Sequence, residues 1–190
     1  VYEALTYSGA FDCFKGSRNS KIKHETTVLN FVKTLTKQQT LFSLSSQSLL
    51  TTQLLSLKPG KLTEKNMFDE REYAGFFISD YPLTRYADII KNDKSFCDIS
   101  HLNLKSDGDT FRVIALLDEV RVMTTKNLHK MARLTAEDKN SKAEMIVFET
   151  AYEANKKLLK KNKLVVLEGS VSDNDNYGRS YIVRAVSDIK

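Results

Sequence analysis

The sequence predicts an α+β protein, in which a helical N-terminal segment precedes an all-β barrel of five strands with one helix between strands 3 and 4. Three observations predict this fold class. Apolar residues recur at helix-like spacing in much of the chain before residue 108. From Phe111 onward they recur at every second residue, which is the period of a β-strand. The turn Asp107-Gly108-Asp109 separates the two patterns.

The N-terminal part divides by composition into three segments. Residues 1–37 are predicted to be helical, and their start at Val1-Tyr2-Glu3, within a helical pattern, predicts a piece of a longer chain. Residues 38–65 are rich in Gln, Ser, Thr and Leu and sustain no period, which predicts a linker or an ordered excursion of the chain. Residues 66–108 are predicted to form a helical connector.

Two local signals place the helices of that connector. Asn66 is predicted to cap the first helix, because the first turn that follows carries Asp69 and Glu70. Pro82 is predicted to begin a second short helix that extends to Lys91.

Residues 109–190 have the element order of an OB-fold, a small barrel that binds oligonucleotides on its second and third strands and its loops. Gly169, inside the fourth strand, indicates a bulge or bend. Another small β domain with one crossover helix would show the same order. The predicted strands cover residues 111–122, 131–135, 143–148, 164–171 and 181–186, and the predicted helix covers residues 150–161.

Composition excludes several classes of protein. The 190 residues carry a formal net charge of +5, a modest basic excess that permits contact with a polyanion without requiring it. The two cysteines, Cys13 and Cys97, have no second Cys or His at ligand spacing, so neither a disulfide framework nor a zinc site is indicated, and a reducing cytoplasm is expected. No apolar run approaches the roughly 20 residues of a membrane span, so no membrane partner is expected.

Catalytic and metal-binding motifs are not evident. The sequence contains no close Asp-x-Asp on a predicted strand, as two-metal chemistry requires, and no Gly-rich phosphate loop. The three histidines lie apart from any candidate nucleophile. We therefore predict no catalytic residue, no metal site and no cofactor in this chain. The enzymatic alternative is a nuclease that uses Asp173, Asp175 and Glu168.

The predicted hairpin of the first two strands carries a basic cluster, with no acidic residue between Val120 and Leu134. Such a hairpin can follow phosphates by releasing their counterions, although hairpins also carry charges for solubility and edge protection. Tyr177 and Arg179, in the last loop, are predicted to stack on bases. The predicted DNA-binding residues of the hairpin are Arg121, Lys126, His129, Lys130 and Arg133.

Several motifs, in this order, resemble the alpha subunits of bacterial DNA polymerase III, the C family of polymerases. They are Glu3-Ala4-Leu5, Ser8-Gly9-Ala10-Phe11-Asp12, Glu72-Tyr73-Ala74-Gly75-Phe76-Phe77-Ile78-Ser79-Asp80-Tyr81-Pro82-Leu83, Val120-Arg121-Val122, Thr124-Thr125-Lys126, Lys130-Met131-Ala132, Leu134-Thr135-Ala136-Glu137-Asp138 and Glu144-Met145-Ile146-Val147-Phe148. The chain departs from the family at Asp80-Tyr81-Pro82, where Gly-His-Pro is usual, and at Asn140-Ser141, where a Thr-Gly turn is usual.

The resemblance implies that residues 1–37 are the end of a helix-hairpin-helix region and that residues 109–190 are an OB domain on single-stranded template DNA. It also implies that the parent chain is a DNA-directed DNA polymerase, a nucleotidyltransferase whose Mg²⁺ site lies in the palm upstream of these residues. Whether this chain is itself an enzyme stays open. The binding alternative is an RNA-directed OB module of the anticodon-binding type.

The pentapeptide Gln38-Gln39-Thr40-Leu41-Phe42 fits the Gln-x-x-Leu-Phe pattern by which bacterial replication proteins bind the sliding clamp. It also lies where that motif occurs in the resembled subunit. Gln38, Leu41 and Phe42 are therefore the predicted clamp-binding residues. The alternative is a loop whose Leu41 and Phe42 pack back onto the helices. The expected partners are the sliding clamp, single-stranded DNA and, through the parent chain, other replisome subunits.

Overall fold

A computed structural model describes residues 1–37, 63–125, 128–174 and 178–189 of the chain. The chain divides into two compact units, Val1–Tyr81 and Pro82–Lys190. Among the described residues, none of the helices combines the length and the apolar character that a membrane span requires.

The first unit is helical. Its helices are α1 (Tyr2–Tyr7), α2 (Arg18–Lys23), α3 (Glu25–Lys37) and α4 (Glu64–Ala74). The Ser17 side chain caps α2 by accepting a hydrogen bond from the Ser20 backbone N–H.

The cap of α4 is not the residue that the sequence suggested. Thr63 is the N-cap, and Asn66 is the third helical residue, whose side chain bonds back to the Thr63 backbone. The two residues form a capping box, in which Asn66 takes the place usually held by Glu or Gln. The helix ends at Gly75, whose φ of 89° places it in the left-handed conformation common after a helix.

A buried ion pair holds the first unit together. Arg18 and Glu70 are 4% and 0% exposed, and Arg18 Nη2 lies 2.6 Å from Glu70 Oε1. The same nitrogen lies 2.5 Å from a carboxylate oxygen of Asp12. The other oxygen of Glu70 accepts hydrogen bonds from the backbone N–H groups of Ile78 and Ser79, each at 2.9 Å. Glu70 therefore joins α2 to α4 and to the turn that follows α4.

The second unit consists of a helical lead-in and a barrel. The predicted second helix is in fact two elements, a 3-10 helix (Pro82–Tyr86) followed by α5 (Ala87–Asn92), and a further 3-10 helix covers Ile99–Leu104. The barrel elements are β1 (Thr110–Thr124), β2 (Lys130–Glu137), β3 (Lys142–Val147), α6 (Glu149–Asn155), β4 (Leu164–Asn174) and β5 (Gly178–Ser187).

The sheet closes in the order β1-β2-β3-β5-β4, with β4 paired to β1. The β3–β5 pairing is parallel and the others are antiparallel. The long β1 pairs with β4 in its first half and with β2 in its second, and its register shifts between Leu117 and Glu119. A barrel of five strands in this order, with a helix between β3 and β4, is the OB-fold, so the predicted fold is confirmed.

The fourth strand of the barrel contains an irregularity at its glycine. The register of β4 against β5 shifts between Glu168 and Gly169, as the glycine in that strand had indicated.

The helix predicted to reach Lys161 ends at Asn155, whose side chain donates a hydrogen bond to the Ala151 carbonyl at 2.8 Å. The following residues form turns that place Leu159 in the core, where it is 6% exposed. The apolar period of the sequence therefore continues beyond the end of the helix.

The core fills the barrel with inward-facing residues of all five strands. The 3-10 helix Ile99–Leu104 contributes Ile99 and Leu102 to it. Tyr181 on β5 donates a hydrogen bond to Asn103 Oδ1 at 2.7 Å. The barrel is thereby joined to the segment that precedes β1.

Candidate nucleic-acid interface

Two arginines lie directly opposite each other on β1 and β2. The antiparallel register pairs Arg121 with Arg133, and Met123 with Met131 closer to the hairpin tip. Like charges directly opposite on neighbouring strands destabilise a sheet. The arginine pair is therefore locally unfavourable for the fold.

The pleat of the sheet places these arginines on the outside of the barrel. Ala132 and Leu134 are fully buried in the core, so Arg133 between them faces outward. On β3, Met145 and Val147 are likewise in the core. The outward residue between them is therefore Ile146, which pairs with Arg133 in register. We call the outer surface formed by Arg121, Met123, Met131, Arg133, Glu144 and Ile146 the outer face.

Phe148 extends the outer face at its β3 end. It follows Val147 with an extended backbone, so strand alternation directs it to the same side as Ile146. Its side chain is 51% exposed. The sequence had assigned Phe148 to a strand without a role, because exposure of an aromatic residue is not readable from periodicity.

Carboxylates accompany the basic residues of the hairpin. Glu119 Oε1 accepts a hydrogen bond from Arg121 Nε at 2.7 Å, and Glu144 Oε2 lies 3.7 Å from Arg133 Nη1. The hydrogen bond from Arg121 to Glu119 raises the pKa of Arg121, and the charge of Glu144 adds to the effect. The acid-free stretch of sequence is therefore not an acid-free surface.

The remaining hairpin residues lie toward the tip. His129 Nδ1 lies 2.5 Å from Glu149 Oε2, at the start of α6, and Lys130 is exposed. Leu128 has a φ of 62° and is 84% exposed, an unusual conformation for a bulky apolar residue. Lys126 lies outside the described residues, as do Tyr177 and the clamp-peptide residues Gln38, Leu41 and Phe42.

Arg179 has structural contacts at the start of β5. Its guanidinium donates to the carbonyls of Leu102, at 2.9 Å, and of Lys105. It also pairs with Asp173 at 3.2 Å and lies 6.0 Å from the ring centroid of Tyr181. These contacts join β5 to the preceding 3-10 helix. They were not visible in the sequence, because Leu102 and Lys105 lie more than 70 residues away from Arg179. Base stacking by Arg179 stays a prediction.

The residues of the nuclease alternative are separated in the structure. Glu168 pairs with Arg112 at 2.9 Å, and Asp173 pairs with Arg179. Glu168 and Asp173 are five residues apart on β4, which corresponds to about 16 Å along an extended strand. Across the described ranges, no group of three His, Cys, Asp or Glu side chains is placed to hold a metal ion. Asp175 lies outside those ranges.

Comparison with known proteins identifies relatives of the chain. No protein-family model matches the chain. A DNA polymerase III subunit alpha of Streptococcus pyogenes is 31% identical over 175 residues, which are 92% of this chain. The subunit of Aquifex aeolicus is 30% identical over 175 residues, and that of Buchnera aphidicola from Acyrthosiphon pisum is 25% identical over 178 residues. The chain is a relative of the DNA polymerase III alpha subunits.

This relationship confirms the resemblance seen in the sequence motifs. The relationship to the alpha subunit extends over both units, since the matches cover 90% to 92% of the chain. The chain spans 14% to 16% of the length of these alpha subunits.

Solved structures with a similar barrel include single-stranded-DNA-binding proteins. The SSB domain of a Synechococcus protein aligns with 43% of this chain and 97% of its own, with a TM-score of 0.35 and 16% identity. A mitochondrial single-stranded DNA binding protein of S. cerevisiae aligns with 45% of this chain and 97% of its own, with a TM-score of 0.38 and 14% identity. The OB-fold of the present chain rests on its own strand order and not on these structures.

Proposed function

We propose that the OB barrel binds single-stranded DNA across its outer face, as a non-catalytic part of a replicative DNA polymerase. The observation that carries the proposal is the opposition of Arg121 and Arg133 on neighbouring strands. Two guanidinium groups in this arrangement repel each other, whereas a phosphate placed between them is attracted by both. Kinship with the alpha subunits supports DNA as the polyanion.

The apolar residues of the outer face suit unpaired bases. Met123 and Met131 are neighbours in register, and Ile146 and Phe148 lie on the adjoining strand and its extension. Aromatic and methionine side chains make favourable contacts with flat π systems, and such contacts tolerate any base. A duplex keeps its bases stacked inside, so this combination of arginines and apolar side chains favours single strands.

The proposed interaction is weak and has little sequence preference. Arg121 and Arg133 are 67% and 49% exposed, so their attraction for phosphates is screened by solvent and salt. Phosphate contacts carry no sequence information directly, and stacking is tolerant of base identity. His129, Lys130 and Lys126 extend the proposed phosphate contacts toward the hairpin tip.

The test compares two variants that remove the same charge. Arg121→Gln with Arg133→Gln changes the outer face, while Lys157→Gln with Lys160→Gln changes exposed lysines after α6. We expect the arginine variant to bind a labelled single-stranded oligonucleotide more weakly. Its plot of log affinity against log salt should be flatter, by about 0.7 for each phosphate that the protein no longer neutralises. The lysine variant should remain close to wild type.

The same titrations separate the alternatives. Equal weakening in the two variants would show a nonspecific charge effect and would refute the assignment to the outer face. Tighter binding to RNA than to DNA of the same sequence would favour the RNA-directed module. Metal-dependent degradation of the oligonucleotide, abolished by Asp173→Asn, would favour the nuclease.

The clamp peptide is a second element of the proposal. Support comes from the Gln-x-x-Leu-Phe pattern at Gln38, Leu41 and Phe42 and from kinship with a replicative polymerase subunit. We assign sliding-clamp binding to these residues. Nucleotidyl transfer, its Mg²⁺ ions and contacts with other replisome subunits are assigned to other parts of the alpha subunit.

A further inference from the structure

We infer that Glu119 and Glu144 attenuate DNA binding by occupying the arginines of the outer face when no DNA is present. The inference rests on the proposed function of that face. It assigns the strength of binding to two carboxylates rather than to the basic residues alone.

Each carboxylate lies beside a guanidinium that, in the proposed function, contacts a phosphate. Glu119 precedes Arg121 by two residues on β1 and accepts from its Nε at 2.7 Å. Glu144 lies on β3 beside the strand of Arg133, with 3.7 Å between Oε2 and Nη1. A guanidinium has a limited set of N–H donors, so a carboxylate and a phosphate compete for them.

The folded state does not require these carboxylates. Glu119 and Glu144 are 46% and 69% exposed, and exposed ion pairs of this kind contribute little to stability. In contrast, the Glu70 carboxylate is fully buried and accepts two backbone hydrogen bonds. The exposed pairs are therefore free to exchange partners, whereas the buried pair is not.

The consequence for binding follows from the charges. An arriving phosphate replaces a carboxylate, so each new ion pair with DNA breaks an existing one. Affinity and salt dependence are both reduced relative to unpaired arginines. The outer face would then hold a template strand loosely enough for the strand to move across it.

The test uses the full chain, with a charge-matched control at two other ion pairs. Glu119→Gln with Glu144→Gln should raise affinity for a single-stranded oligonucleotide at least about fivefold at low salt, and should steepen the salt slope. Glu153→Gln with Asp188→Asn removes the same charge at two other exposed ion pairs, those with Lys156 and Lys163. We expect less than about a twofold change from that control.

A double-mutant cycle isolates the pairs from the general charge. In the Arg121→Gln background, Glu119→Gln should have no effect beyond that of the control. Urea unfolding would verify that each variant is folded.

The outcomes distinguish the two proposals. Wild-type binding that depends on Arg121 and Arg133, with glutamate variants no tighter than the control, would overturn the attenuation and leave the proposed function standing. A Glu119→Gln effect that persists in the Arg121→Gln background would also overturn it. Absence of binding by both the wild-type and the glutamate variant would overturn both proposals.

Discussion

The backbone of Gly169 on β4 lies directly against the carbonyl group of Ile182 on β5. A Cβ built on Gly169 would collide with that carbonyl oxygen and would lie 2.8 Å from the ring of Phe111. This close approach occurs at the register shift between Glu168 and Gly169. The glycine therefore permits β4 and β5 to meet where the barrel closes.

Gly169→Ala should destabilise the barrel, because the added methyl group meets backbone atoms that cannot rotate away. We expect a decrease of roughly 1–3 kcal/mol in the free energy of unfolding, measured by urea denaturation. Ser187→Ala, at an exposed position on β5, should change stability by less than about 0.5 kcal/mol. Equal stability of the glycine variant and the wild type would contradict this close packing of β4 against β5.

Glu70→Gln should destabilise the first unit, because it leaves the buried guanidinium of Arg18 without one of its carboxylates. Breaking a buried ion pair costs roughly 3–5 kcal/mol when the remaining charge has no partner, and we expect a smaller loss here because Arg18 keeps its ion pair with Asp12. Glu72→Gln, on the exposed side of the same helix, is the matched control. Hydrogen exchange gives a local measurement, since the amides of Ile78 and Ser79 donate to Glu70. These amides should exchange faster in the Glu70 variant than in the Glu72 variant.

The same carboxylate should make the first unit sensitive to acid. Burial alone raises the pKa of Glu70, but hydrogen bonds from Ser79, Arg18 and Ile78 outweigh it and lower the pKa below 4.5. A depressed pKa in the folded state contributes stability above pH 4.5 that is lost as pH falls through the folded value. Exchange of the Ser79 amide, corrected for its intrinsic rate, should accelerate over that range. The Glu70→Gln variant should lack this step, and an identical step in both would contradict the assignment.

Phe148→Ala should weaken binding to single-stranded DNA without changing the salt slope, because in the proposed interaction the side chain stacks on bases and does not contact phosphates. Removing the stacking on one base costs roughly 1–3 kcal/mol. The control is Leu104→Ala, since Leu104 is 81% exposed on the 3-10 helix before β1 and is not on the outer face. Oligonucleotide titrations at several salt concentrations would measure both quantities. A flatter slope in the Phe148 variant would show that it acts on phosphate contacts instead.

Leu41→Ala with Phe42→Ala should abolish binding to the cognate sliding clamp, because these are the large apolar residues of the pentapeptide. Burying each in the clamp would gain about 1.5–3 kcal/mol, while Gln38 would donate and accept hydrogen bonds at the rim of the clamp pocket. Leu49→Ala with Leu50→Ala removes two apolar residues from the same polar segment and should bind like wild type. Binding of the wild type and of each variant to immobilised sliding clamp would measure the affinities. Equal binding by both variants and the wild type would refute the motif, while DNA binding should be intact in each.

The strands of the barrel were predictable from the sequence because each inward residue is apolar and the side-chain period of a strand is two. Phe111, Val113 and Ala115 are all buried, as their alternation indicated. Gly169 was also recognisable, since an isolated glycine in a strand marks a bulge or a close backbone approach. The length of α6 was not predictable, because Leu159 packs in the core from a turn while continuing the apolar period of the helix.

The pairing of charges was decided by the tertiary structure. The sequence determined that no acid lies between Val120 and Leu134, but the β2–β3 register brings Glu144 to Arg133. Arg18 and Glu70 meet across 52 residues of sequence in the same way. Periodicity reports which side of an element is buried, because burial repeats along the chain. Ion pairs depend on which elements become neighbours, and the tertiary packing decides this.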